Sequence, residues 1–269
     1  MQQSGRIPAI KVEEPVQKEL TKEEKEIFTY FTPIGGMEMA LCQVLTSARN
    51  RLTKAKGSQT GNIIIQGAAG SGKTTLATSL IRVLQMETDK PNRNIGRIDG
   101  ANLNTKDIAK LFSKLNGGCL IVEKAGEITR ETTMELSAVM EHEATDVLMI
   151  LEDGRTGMEK VLSLNPQFAR KFTEKIIIPV LTIDELVNFG KAYASDLGYA
   201  IDEMGILALY DRINLIQRLD HPTNLTEVKE IVDEAIDKAE RGGLKGLFSR
   251  KKRDEAGNVI LQERDFQIQ

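Results

Sequence analysis

The sequence predicts an α/β protein: a mostly parallel five-stranded sheet between two layers of helices, followed by a small helical domain. Three observations predict it. Five short apolar runs recur along the first two thirds of the chain with helical stretches between them. Such continuous runs, without polar alternation, mark strands covered on both faces, and right-handed crossovers between parallel strands place helices on each side. Beyond Pro179 the pattern becomes helical only.

Residues 1–20 mix Pro, Gln and charges without periodicity and read as a flexible lead-in. Thr21 and Glu24 form a capping-box pattern that opens a short helix, and a longer one over 37–52 places Met39, Leu41, Cys42, Leu45 and Ala48 on one face. The strands are predicted at 62–66 (NIIIQ), 95–99 (IGRID), 118–123 (GCLIVE), 147–151 (VLMIL) and 175–180 (KIIIPV). Helices fill the intervals at 74–87, at 105–115 after Asn104, at 132–143 from the pattern Thr132-x-x-Glu135, and in a short piece at 166–172. The sheet with its helices spans 21–180. The helical domain, 181–241, starts at the capping pattern Thr182-x-x-Glu185, continues over 202–218, and has a further start at Asn224-x-x-Glu227. Residues 242–269 lack a sustained period and read as a basic, flexible tail.

Between the first strand and its helix lies GAAGSGKTT, Gly67–Thr75, which fits G-x-x-x-x-G-K-[ST] at every fixed position and in the required strand–loop–helix context. Gly67, Gly70 and Gly72 let the backbone N–H groups of the loop, with those of Ala68, Ala69 and Ser71, turn toward an anion that a β-carbon would obstruct. The helix N-terminus adds partial positive charge. Lys73 is placed to reach β- and γ-phosphates, the Thr74 hydroxyl to bind Mg²⁺, and Thr75 closes the motif. The pattern predicts a nucleotide site of the P-loop kind.

The rest of the composition narrows the choice. With 269 residues, 41% hydrophobic and 28% charged, and a net charge of −3, the chain reads as an ordinary water-soluble protein with no overall attraction to nucleic acid. No apolar run approaches the length of a membrane span. Cys42 and Cys119 sit in apolar patterns and read as reduced core residues, which predicts a cytoplasmic protein, and His142 and His221 have no ligand spacing around them. Guanine recognition would want N-K-x-D, and the nearest string, Asn104-Thr105-Lys106-Asp107, has another order.

The order of features resembles an AAA+ ATPase module, and most of all the branch of red-type rubisco activases and the stage V sporulation protein K group. The resemblance covers about residues 25–240. It rests on Gly35-Gly36, the P-loop, GGCLIVEKA around the third strand, DVLMILEDGRTGMEKVLSLNPQFARKF from Asp146 to Phe172, and TIDEL at 182–186. It implies an αβα P-loop NTPase core with a helical lid, ATP and Mg²⁺ as ligands, and protein partners or homologous subunits in a homo- or hetero-oligomer.

Carried over residue by residue, the resemblance splits. Lys73, Thr74 and the P-loop glycines match. Glu123 falls where the family has the Walker B aspartate that holds the Mg²⁺ shell, and Lys124 where it has the glutamate that polarises the attacking water. Lys171 takes the place of the arginine finger, with Arg170 beside it as a shifted substitute. Leu151 and Glu152 lie where a polar sensor is expected, Thr226 sits near the second sensor arginine, and Ala101–Lys106 lacks the aromatic of a pore loop. A charged Lys cannot accept a proton from water. Two functions follow: a Mg-ATP-binding module with impaired hydrolysis that serves as a structural or regulatory part of an assembly, or an active, slow ATPase remodelling proteins as a ring, with Glu123 shifted by one position or Glu127 as its acid.

Overall fold

The computed structural model describes residues 18–54, 57–86, 94–142, 144–217, 222–245 and 252–268. The lead-in before Lys18, His221, and Arg250 and Lys251 of the basic cluster lie outside the described residues. Helices α1 (Lys22–Ile27) and α2 (Met37–Lys54) precede β1 (Asn62–Gln66), which runs through the P-loop into α3 (Lys73–Met86). Then follow β2 (Ile95–Asp99), α4 (Gly100–Leu103), α5 (Ile108–Leu115), β3 (Cys119–Glu123), α6 (Arg130–Met140), β4 (Leu148–Asp153), α7 (Arg155–Leu164), α8 (Pro166–Ala169) and β5 (Phe172–Ile177). The lid comprises α9 (Ile183–Asp196), β6 (Tyr199–Ile201), α10 (Glu203–Ile216), α11 (Leu225–Lys245), β7 (Val259–Leu261) and α12 (Glu263–Phe266).

The main sheet has the order β2-β3-β4-β1-β5, and every pairing is parallel. Strand residues alternate between faces, and two cores result. Ile63, Ile65, Cys119, Ile121, Leu148 and Ile150 join α2, α3 and the lid, whereas Ile64, Leu120, Val122, Met149 and Leu151 join the helices from α4 to α8. This parity also fixes where the strand-end acids point. Glu123 continues the Cys119–Ile121 side and Glu152 the Leu148–Ile150 side, so both face the layer that holds α3. The register sets them opposite one another, with Glu152 one strand nearer to β1.

Several boundaries differ from those the pattern predicts. The helix predicted over 105–115 spans Ile108–Leu115, because Asp107 rather than Asn104 caps it by accepting from the Lys110 N–H at 3.0 Å, and the short helix Gly100–Leu103 precedes it. The helix predicted from 132 begins at Arg130, with Thr129 as its cap. Helix α7 has no counterpart in the pattern: its N-cap is Gly154, without a side-chain cap, and Gly157 interrupts its first turn.

The largest correction concerns the end of the chain. Residues 259–268 are folded onto the lid rather than forming a solvated tail, and the lid is not purely helical. Val259–Leu261 pairs in parallel with Tyr199–Ile201, Asp202 N–H donates to Leu261 O at 3.1 Å, and Phe266 is 1% exposed. Arg212 donates to the Phe266 carbonyl at 3.1 Å. A strand of three residues whose partner lies far back in the chain leaves no local period to detect. Phe266→Ala is therefore expected to destabilise the lid by about 3–4 kcal/mol. Urea unfolding followed by hydrogen exchange in α10 and α11 checks this, and a solvated tail would give no change.

Candidate nucleotide site

The P-loop is held open at the carboxyl end of β1. Gly67 N–H donates to Asp153 O at 3.1 Å, which ties the loop to β4. A Cβ on Gly67 would lie 2.6 Å from Ser71 Oγ and 3.2 Å from Ile178 Cβ, so only glycine fits there. Gly70 and Gly72 adopt φ of +69° and +85°, conformations that cost a side-chain-bearing residue about 1–2 kcal/mol. Ser71 Oγ is buried with no hydrogen-bond partner. Lys73 Nζ donates to Ala68 O at 2.7 Å, across the cradle. Burial pushes the Lys73 ammonium below the usual lysine range, against the pull of Glu152 and Asp153.

The acids near this loop are not arranged as the third strand alone suggests. Thr74 Oγ1 donates to Glu152 Oε1, and the Glu152 side chain is 3% exposed, with Oε2 buried and unpartnered. Burial raises the Glu152 carboxyl above the usual range, partly offset by the Thr74 hydrogen bond and by Lys73. Glu123 instead forms an ion pair with Arg97 on β2. Lys124, exposed at the strand tip, is the one non-glycine residue among those described with positive φ, at +48°. Its carbonyl leans over Gly100, where a Cβ would sit 2.6 Å away. Asp153 accepts from Gly126 N–H at 2.7 Å and Gly154 N–H at 2.6 Å and so braces the turn after β3 against α7. Glu127 lies exposed in that same turn.

The remaining positions separate in the same way. Lys171 is 2% exposed, pairs with Glu141, and its carbonyl accepts from the Asn62 side chain at 2.9 Å, so its ammonium is held inside the domain. Arg170, at the end of α8, is exposed. Lys171→Ala is expected to cost about 2–4 kcal/mol through lost packing of the buried stem and the lost pair, against about 0.5 kcal/mol or less for Arg170→Ala. Urea midpoints distinguish the two. From the lid, Thr226 N–H donates to Gly70 O at 3.3 Å, and Asn224 and Leu225 pack on Gly70 and Gly72. The start of α11 thereby roofs the P-loop. Asn102 and Asn104 are spent on local bonds to Asp99, Glu127 and Thr129.

Strand parity assigns the two candidates at the fourth strand: Leu151 is fully buried in the far core, while Glu152 reaches the P-loop threonine. The sequence marks Glu152 only as a departure from a sensor pattern. The available signal was the alternation along LMILED, which puts the acid on the same side as the apolar residues that pack against α3.

A parallel sheet with a glycine-rich phosphate cradle at the edge of its first strand and a helical lid above it defines a P-loop nucleotide-binding protein. The chain belongs to the family described as CobW/HypB/UreG, nucleotide-binding domain, whose profile matches residues 62–239. It is also similar to a protein CfxQ homolog of Galdieria sulphuraria, 23% identical over 82% of this chain and 78% of that protein. A chloroplastic ribulose bisphosphate carboxylase/oxygenase activase of Cyanidioschyzon merolae is 24% identical over 84% and 80%. Among solved structures, the Thermotoga maritima RuvB Holliday junction branch migration motor superposes with a TM-score of 0.60 at 15% identity, covering 87% of this chain and 67% of that one. Against a RuvB variant the chain spans 65% of the neighbour's length. The homologues and the shared αβα fold bear out the resemblance to AAA+ modules of the red-type rubisco activase branch. Among the described residues no helix is long and apolar enough to cross a membrane.

Proposed function

We propose that the chain binds Mg-ATP at the P-loop and hydrolyses it poorly, serving as a nucleotide-dependent structural or regulatory part of a protein assembly. The observation that carries this reading is the state of the third strand: Glu123 is paired with Arg97, and the next residue is an exposed lysine in a left-handed turn. Neither side chain is available to polarise a water beside the γ-phosphate. The backbone N–H groups of Gly67–Thr75 would cradle the phosphates, Lys73 would bind the β- and γ-phosphates, and the Thr74 hydroxyl would take the cation. Mg²⁺, when bound, neutralises charge on the phosphate oxygens. Titration of ATP beside steady-state phosphate release tests this: binding without release supports it, and efficient release overturns it.

Partners follow from exposure. Arg170 is the cation that α8 presents to the outside, so it, rather than Lys171, would reach the nucleotide of a neighbouring subunit. Because α11 rests on the P-loop, nucleotide between core and lid would fix their angle and favour docking on a like subunit or a homologue. Mass photometry with and without Mg-ATP reads this, and a chain that stays monomeric in both removes the self-assembled ring. Two buried cysteines that are not joined in a disulfide fit a reducing cytoplasm.

A further inference from the structure

We propose that Glu152, on the fourth strand, is the carboxylate that holds the nucleotide's divalent cation, in place of the third-strand acid at Glu123. The inference rests on the nucleotide reading above. It starts from strand geometry. Adjacent strands lie about 4.8 Å apart, and β4, not β3, is the neighbour of β1. An acid ending β4 on the α3 side therefore lies one strand from the loop that follows β1, and an acid ending β3 lies two.

The side chains follow that geometry. Glu152 accepts from the Thr74 hydroxyl, the P-loop group suited to the metal, and its second oxygen is buried with no partner. A buried carboxylate oxygen without a donor is costly unless something cationic or protic fills its place. A hard divalent cation takes oxygen ligands, keeps several waters, and is held by one or two carboxylates together with phosphate oxygens. One hydroxyl, one carboxylate with a spare oxygen and a triphosphate make such a set. This also fits the lack, among the described residues, of any cluster of three or more His, Cys, Asp or Glu able to hold a metal alone. Glu123 does not compete, because its carboxylate is neutralised by Arg97. Asp153 does not either, because its oxygens are taken by the N–H groups of Gly126 and Gly154. The site thus keeps a metal acid and lacks a water-polarising one, which separates nucleotide retention from turnover.

The test compares ATP affinity by calorimetry in Mg²⁺ and in EDTA for the wild-type chain, Glu152→Gln and Glu123→Gln. In the wild-type chain Mg²⁺ is expected to tighten ATP by about ten-fold or more. Glu152→Gln should lose that gain while its affinity in EDTA is kept or improved, since a negative charge near the phosphates is gone. Glu123→Gln should keep the gain. A full Mg²⁺ gain in Glu152→Gln, its loss in Glu123→Gln, or no gain in the wild-type chain overturns the assignment. If Glu152→Gln does not fold, Glu152→Asp is read instead: its carboxylate is one methylene short and the Mg²⁺ gain should shrink, an undiminished gain counting against the site. Failure to bind ATP in either buffer would sink the nucleotide reading itself, whereas metal-independent binding sinks only the role of Glu152.

Discussion

Lys73→Ala is expected to abolish most of the affinity for ATP while leaving the fold intact. Lys73 is the cation that the P-loop aims across its own cradle; its ammonium now bonds the Ala68 carbonyl and has only to rotate onto phosphate oxygens. A hydrogen bond to a charged group is worth about 1.5–3 kcal/mol, or roughly ten- to hundred-fold in affinity. The substitution also relieves a half-buried ammonium of its desolvation cost, so the ligand-free protein should melt no lower than the wild-type chain. A ligand at 100 times its Kd stabilises by about 2.7 kcal/mol, roughly 5–10 °C in a domain of this size. That shift should vanish in Lys73→Ala, and an unchanged shift would count against the P-loop as the site.

The second large effect is a gain. Converting the third-strand tip to an acid pair, Glu123→Asp with Lys124→Glu, should raise hydrolysis only when Arg97→Gln is added, because Arg97 otherwise keeps the acid at 123. General-base catalysis contributes about 10²–10⁴-fold where it is fully formed. The triple variant should recover a fraction, roughly ten-fold or more, since residue 124 sits in a left-handed turn and Lys171 stays buried on Glu141. Groups that act as a unit need not add, so the double variant without Arg97→Gln is the informative control. Equal rates in the double and triple variants would show that Arg97 does not restrain residue 123.

What could be read from the sequence divides along physical lines. The P-loop was legible because its chemistry is local: glycines, lysine and threonine at fixed spacing, between a buried strand and a periodic helix. The three central strands β1, β3 and β4 were legible because a doubly covered strand is apolar throughout; the edge strands β2 and β5 are polar and partly exposed, and β5 runs over Phe172–Ile177 rather than 175–180. The lid helices at Thr182 and Asn224 announced themselves by capping boxes that the structure contains. The partnership of Thr74 with Glu152 joins residues 78 apart in sequence. It exists only because β4 lies beside β1, and strand order is not written in any single strand. Lys171 looked like a finger because charge type and position say nothing about burial; the fold turns its stem inward and leaves Arg170 outside. The strand β7 and Phe266 were missed because their pairing is non-local and short.

Retention of ATP without its consumption has a direct signature in the fate of the bound nucleotide. Mixing labelled ATP with excess protein and Mg²⁺, then quenching over time, reads the fate of the bound nucleotide directly. Bound label is expected to remain ATP over many minutes, with the triple variant releasing phosphate faster than the parent. Conversion of the bound label at the ~1–100 s⁻¹ of efficient phosphoryl-transfer enzymes would contradict retention, and would mean that a side chain other than those of Glu123 and Lys124 activates the water.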